Sequence, residues 1–303
     1  MNKSSQCFLC PRECSFHEGS QTSGYCKSGG WAGIASVCLH RGEEPPLNGN
    51  TGICNVFFAH CNLHCIFCQN YRISRNTVIF QEISYTEAVS KIFNILDKGC
   101  SHLGFVSPSH TVVGMKEIIY AVRKRYNRKI IVVYNSNAYD KVETLSQLEN
   151  LVDVYLPDFK YADDVVAKKY SDADNYTFTA LNAVKEMVRQ KGNLLYTDDD
   201  GLAVTGVIVR HLVLPGHVDN SVDVLNLIAS EISIEVPLSI MSQYNPVPAV
   251  ANHPELARYI TEIEYNQVLS EMEKLGFSNG WIQEFGSPSN YIPDFTKDNP
   301  FEL

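Results

Sequence analysis

The chain has 303 residues, 45% hydrophobic and 19% charged, with 34 acidic against 25 basic side chains for a formal charge of −9. A chain of that size buries roughly 75% of its unfolded surface and needs no cross-links to be stable. The acidic balance and the lack of a basic run argue against a nucleic-acid binder that works by neutralising phosphates.

No stretch approaches the ~18 apolar residues of a membrane span. The first residues, Met1 to Gln6, lead into Cys7 without an apolar leader. Ten cysteines in such a chain point to metal in a reducing cytoplasm rather than to disulfides.

Residues 7–38 hold Cys7, Cys10, Cys14, Cys26 and Cys38 among glycines and serines, with almost no hydrophobic periodicity. A segment of that kind builds no core of its own and is ordered by a metal or by packing on the rest of the chain. Cys7, Cys10, Cys14 and Cys26 form a four-thiol set suited to structural zinc or to an iron–sulfur cluster; free cysteines in a surface flap are the alternative. Residues 1–50 are therefore set apart as a cysteine-rich extension with a candidate metal site, and 51–303 as the main domain. Within the extension, His40 to Gly49 reads as a turn-rich linker, with the adjacent carboxylates Glu43 and Glu44 solvated.

Ile53 to Phe58 reads as a buried strand, and Cys61-x3-Cys65-x2-Cys68 follows it at once. Three soft thiolates within eight residues suit one cubic iron–sulfur cluster better than a tetrahedral zinc, which wants a fourth ligand. A cluster held by three cysteines leaves one iron open to a small molecule. His60 and His64 flank these cysteines and are expected either to donate hydrogen bonds to sulfur or to pack behind the loop.

Beyond residue 83 helix and strand alternate. Helical stripes start at Tyr85 and Val112 and cover 142–151, 162–170, 176–190, 222–232 and 254–275. Apolar strands are read at 103–106, 129–134, 152–156, 206–214 and 238–241. With Ile53 to Phe58 these make six strands, which predict parallel, right-handed βαβ units, as a doubly wound sheet or a barrel, with the chemistry at the C-terminal strand ends.

Polar residues stand at those ends: Ser107 to His110, Asn135 to Asn137, Asp158 with Lys160, His217, and Ser242 to Asn245. Asp158 and Lys160 matter most, because an amino-acid-like ligand needs an acceptor for its ammonium and a cation for its carboxylate. A surface ion pair is the competing reading. His217 is read as either a ligand contact or a loop histidine. Cys54 and Cys100 read as small buried hydrophobes, and Asp198 to Gly201 as a solvated turn.

Taken together, Cys7 to Cys14, Gly42 to Leu47, Cys61 to Ser74, Tyr155 to Tyr161, Arg210 to Gly216 and Met241 to Tyr244 resemble the radical S-adenosylmethionine (SAM) superfamily. Phe67 is the aromatic residue that family usually has before its third cysteine. The likeness is to a branch related to pyruvate formate-lyase activating enzymes that carries an added cysteine-rich N-terminal segment. It implies an α/β fold, a partial (β/α)6 barrel, and a 4Fe–4S cluster on Cys61, Cys65 and Cys68. It also implies SAM bound at the fourth iron, with Asn135, Asp158, Lys160 and His217 at SAM-binding positions. Reductive cleavage of SAM to a 5′-deoxyadenosyl radical and hydrogen abstraction from substrate would follow, fed by a flavodoxin- or ferredoxin-type reductant. Ser107 to His110 departs from the glycine-rich, acid-containing motif that relatives have near the SAM amino group. The activity expected from the resemblance is modification of a protein, as in activation of a glycyl radical enzyme. The alternatives are a small-molecule or peptide substrate and, outside catalysis, an iron–sulfur electron carrier.

Overall fold

The computed structural model describes residues 4–17, 24–28, 33–75, 82–286 and 292–302. A short antiparallel hairpin, β1 (Ser4–Gln6) with β2 (Ser15–His17), carries the first cysteines. β3 (Ile34–His40) lies antiparallel to β4 (Ile53–Phe58), with helix α1 (Pro45–Asn48) between them. The large sheet thus begins at residue 34, inside the span set apart as the extension.

From β4 to β7 the strands run parallel and in chain order. Helices α2 (Tyr71–Ser74) and α3 (Tyr85–Leu96) lead to β5 (His102–Val106). Helix α4 (Val112–Arg125) leads to β6 (Ile131–Ser136), and α5 (Val142–Ser146) to β7 (Val154–Pro157). Every residue of β4, β5, β6 and β7 is buried, because helices cover one face and the barrel interior the other.

Helices α6 (Asp164–Ser171) and α7 (Tyr176–Lys191) come next. The sequence reads 206–214 as one strand, and the structure divides it. β8 (Tyr196–Thr197) pairs with β9 (Ala203–Val207), which lies along β7. The chain then shifts at Ile208, and β10 (Val209–Leu212) pairs with β11 (Leu238–Met241) across helix α8 (Val218–Glu231). A parallel bridge between Asp158 and Arg210 joins the end of β7 to β10. β4, β5, β6, β7, β10 and β11 form the partial (β/α)6 barrel. β3 lies at one edge; β12 (Gly280–Ile282), after helix α9 (Glu262–Leu275), extends the other.

Helix α9 is shorter than the 254–275 stripe. Thr261 and Glu264 form a reciprocal capping box that fixes its start, and the Tyr244 hydroxyl donates to the carbonyl of Leu256 before it. Cys54 and Cys100 are buried, and Asp198 to Gly201 is an exposed turn. No helix among the described residues is long and apolar enough to cross a membrane.

His211 is wholly buried on β10. Its Nδ1 donates to the carbonyl of Phe159 at 2.7 Å and its Nε2 meets Ser221 Oγ at 2.9 Å. Burial lowers its pKa from 6.5 to about 4, as it does for His110 behind the first strand ends. A histidine neutral in the fold but protonated in the unfolded chain stabilises the fold above about pH 6.5, and that stability is lost as pH falls toward 4. Each is worth roughly 2–3 kcal/mol over that window. The urea midpoint should therefore fall between pH 7 and pH 4.5, and the fall should be smaller in His211→Gln. Equal pH slopes in the two proteins would contradict the assignment.

Candidate functional site

A cavity of about 400 Å³ opens at the C-terminal ends of the parallel strands, within the size range of small-molecule sites. Phe57, Val106, Ser136, Leu212, Met241 and Ile282, at or next to the ends of six of those strands, line it. Cys61, Cys65 and Cys68 line it as well, together with Asn135, Asp158 and Lys160. His217 does not join them. It stands before α8, where its Nε2 meets the Tyr170 hydroxyl at 3.0 Å. The turn after Pro215 carries it onto the α6 side, away from the strand ends.

The cysteine loop leaves β4 through His60, which takes a positive φ of 65°. Backbone bonds then strap it down: His60 N to Ile73 O (2.7 Å), His64 N to Ser171 O (3.1 Å) and Ile66 N to Tyr170 O (2.8 Å). Phe67 is buried between Tyr161 and Tyr244. Asn62 Nδ2 donates to Tyr139 O (2.7 Å) and its Oδ1 accepts from Asn137 Nδ2 (2.8 Å). The loop is therefore held by α2, by α6 and by the segments that follow β6, β7 and β11.

The sulfurs sit among donors. Leu63 N and Asn137 Nδ2 each lie 3.4 Å from Cys61 Sγ, Ser171 Oγ lies 2.9 Å from Cys65 Sγ, and Ser74 Oγ lies 3.2 Å from Cys68 Sγ. Burial pushes the Cys61 thiol up to about 12 and the Cys65 thiol to about 11, so these thiols ionise at neutral pH only when a metal takes the place of the proton. Among the described residues no three His, Cys, Asp or Glu side chains close around a point fit for one metal ion. A multi-iron cluster is wider than an ion, and three donor-supported thiols facing one cavity fit it.

The charged wall of the cavity is organised by Arg210. Its Nε meets Asp158 Oδ1 at 2.8 Å, its Nη1 meets Glu43 Oε2 at 3.0 Å, and its Nη2 donates to Asn135 Oδ1 at 2.9 Å. Lys160 Nζ bonds the other Asp158 oxygen at 2.8 Å. Burial alone would raise the Asp158 carboxyl; Arg210 and Lys160 outweigh it and hold it below the usual range. Lys160 is likewise held above its ordinary value, since Asp158 and the thiols of Cys65 and Cys68 overcome its desolvation. Asp158 and Lys160 are therefore an ion pair and cavity residues at once.

Glu43 and Glu44 correct the expectation of a solvated turn. Glu43 is 9% exposed in its side chain and bonded to Arg210; Glu44 is also buried. Two causes act together. Leu47 of α1 is fully buried and pulls the segment inward, and Asn55 Nδ2 on β4 donates to Glu43 Oε1 at 2.9 Å. Asn55 has room only because β5 offers Gly104 beside it: a Cβ there would lie 2.1 Å from Asn55 Oδ1. Arg210 itself was available to sequence reasoning, as the one charged residue within the apolar run 206–214.

The cysteine-rich lobe packs against this loop. Arg12 Nε donates to Asn62 O (2.9 Å) and Nη2 to Asp172 O (2.5 Å), while the Arg12 guanidinium lies 3.8 Å over the Tyr25 ring. Tyr25 stacks on the exposed His64 ring with centroids 4.2 Å apart. Burial raises the Cys10 thiol to about 12, and the nearby thiols of Cys26, Cys7 and Cys14 add to it.

The model of the radical SAM superfamily matches residues 55–228, more than half of the chain. The chain belongs to the radical SAM superfamily. The cofactors of this superfamily are a 4Fe–4S cluster and SAM, and its members are enzymes. The chain is 28% identical over 277 residues to the uncharacterized protein MJ0674 of Methanocaldococcus jannaschii, covering 88% of this chain and 74% of that one. A second uncharacterized protein of that organism, MJ0808, is 22% identical over 283 residues, with 88% and 78% covered. Among solved structures, the chain is similar to HydG, a maturase of the FeFe-hydrogenase, at a TM-score of 0.52 and 11% identity, covering 78% of this chain and 52% of that one. It is also similar to Streptococcus suis SuiB bound to the precursor peptide SuiA, at a TM-score of 0.52 and 9% identity, covering 75% and 47%. The chain thus spans about half the length of these two solved chains, and at such identities the likeness concerns the fold.

Removing Arg210 would leave the buried Glu43 without a cation and Asp158 with Lys160 alone, a loss of about 3–5 kcal/mol. Arg210→Leu should lower stability by that order in a urea titration at pH 7.5, and Arg210→Lys by less. A leucine variant as stable as the wild type would refute the role given to this side chain.

Proposed function

We propose that this chain is a radical SAM enzyme in which Cys61, Cys65 and Cys68 hold the 4Fe–4S cluster and Asn135, Asp158 and Lys160 line the SAM site. The observation that supports it is that the three loop thiols and these three side chains face one cavity at the strand ends. The cluster with SAM supplies, once reduced, a 5′-deoxyadenosyl radical able to abstract hydrogen from a substrate. The protein's own part is to orient and to keep the site dry. Lys160, held charged by Asp158, offers a cation to a carboxylate. Asn137, Ser171 and Ser74 direct donors at sulfur, which raises a cluster's potential and eases its reduction. Phe67, Tyr161 and Tyr244 pack behind the loop. A flavodoxin- or ferredoxin-type protein is the reductant this reading requires. His217 is left out of the SAM site, because it does not line the cavity.

Anaerobic protein reconstituted with iron and sulfide, given SAM and dithionite, should form 5′-deoxyadenosine. Cys65→Ala should form none above background. Equal formation by both would sink the assignment of the cluster ligands. Adding a candidate glycyl radical enzyme to the same assay separates the activase expected from the resemblance from an enzyme of small molecules or peptides, by whether glycine hydrogen appears in the 5′-deoxyadenosine.

The lobe with Cys7, Cys10, Cys14 and Cys26 is read as a second metal site, zinc or iron–sulfur. Its support is that the thiols of Cys26, Cys7 and Cys14 stand near enough to act on that of Cys10, and that Tyr25 N donates to Cys14 Sγ at 3.3 Å; among the described residues no three of them close around a point fit for a single ion. Metal analysis of the purified chain should find zinc, or iron beyond one four-iron cluster, and Cys10→Ser should lose that excess alone. A Cys10→Ser protein with unchanged metal content would remove the second site.

A further inference from the structure

The cavity also has lining residues that the SAM reading leaves unused. Glu44 and His40 both line it, and each is buried. Glu44 Oε2 and His40 Nδ1 are sealed from solvent and have no hydrogen-bond partner among the described residues. Buried polar atoms without partners cost stability, and proteins keep them where a ligand satisfies them.

The charges at the cavity also fail to balance. Among the described residues its lining holds three carboxylates, Glu43, Glu44 and Asp158, against two cations, Lys160 and Arg210. Arg210 is shared between Glu43 and Asp158, and Lys160 bonds Asp158. Glu44 makes no ion pair of its own among the described residues. Burial raises its pKa against the charge of Arg210 and a hydrogen bond from Ser239. The walls beside it are aromatic and apolar: Phe57, Phe301 and Trp281 line the same cavity, and Phe301 lies 4.0 Å from the His40 ring.

We propose that Glu44 and His40 form the substrate subsite of this cavity and that it takes a primary amine carried on an apolar chain. The ammonium pairs with the Glu44 carboxylate, the free His40 nitrogen accepts a further hydrogen bond, and the rings of Phe57, Phe301 and Trp281 flank the chain. The subsite has no unpaired cation to offer, so it discriminates against phosphates and carboxylates. The inference rests on the radical SAM reading for what happens to the amine, but binding does not require the cofactor to react.

The test is equilibrium binding, by calorimetry on the reconstituted, SAM-saturated protein without reductant. The probes are n-hexylamine, its uncharged counterpart 1-hexanol, and Nα-acetyl-lysine methylamide. The wild type should bind n-hexylamine at least about tenfold more tightly than 1-hexanol, as a buried charge-assisted hydrogen bond requires. Glu44→Gln should abolish that preference. Binding of the lysine derivative with the same Glu44 dependence would assign the amine to a peptide side chain, and binding of hexylamine alone to a free small molecule. Equal affinity for amine and alcohol in the wild type overturns the proposal, and needs no variant to show it. So does a Glu44→Gln protein that keeps the amine preference, or one whose affinity for SAM falls by the same factor, since Glu44 would then serve the cofactor. Because no reduction occurs, failure here is distinct from failure to form 5′-deoxyadenosine.

Discussion

The guanidinium of Arg210 is the contact on which the rest of the site depends. A charge buried inside a barrel is tolerated only with partners close enough to repay its desolvation. Here the partners are Glu43, Asp158 and Asn135, all within 3.0 Å. They arrive from three directions: the segment before α1, the end of β7 and the end of β6. One side chain thereby fixes the wall of the cavity and also sits at the bridge that joins β7 to β10.

From that centre the contacts run outward in two chains. One passes through Asp158 to Lys160, whose charge is felt by the thiols of Cys65 and Cys68. The other passes through Glu43 to Asn55, and Asn55 fits only because position 104 has no side chain. The loop of Cys61, Cys65 and Cys68 is held independently, by backbone bonds to the end of α6 and by Asn62 and Asn137. Such double support keeps the side chains of the cavity in one geometry, as precise positioning of reacting groups requires.

The N-terminal lobe adds a third support. Arg12 reaches the backbone of Asn62 and of Asp172, and Tyr25 bonds Asp172 at 2.9 Å while stacking on His64. The lobe is therefore in direct contact with the loop that carries Cys61, Cys65 and Cys68. Change in the lobe's thiols has a short mechanical path to that loop. All ten cysteines are free of disulfides, which keeps those thiols available to metal.

The sequence by itself determined the parallel α/β pattern and the three-cysteine loop, because both are local: apolar runs of strand length alternate with helical stripes, and the thiols stand within eight residues of one another; the choice of a partial barrel over a doubly wound sheet came from the family resemblance. It also marked Asn135, Asp158 and Lys160, since polar residues that end apolar strands meet at one end of any such barrel. Only the tertiary structure decided the rest. Glu43 and Glu44 look solvated beside two prolines, yet the buried Leu47 and the charge of Arg210 draw them in from more than 160 residues away in the chain. His217 follows a strand end like the others, yet its turn carries it toward Tyr170. The run 206–214 reads as one strand, yet its halves pair with different neighbours on either side of Ile208. In each case the deciding partner is distant in sequence, and a buried charge or a strand edge is satisfied by whichever group the fold brings to it, not by the residues beside it.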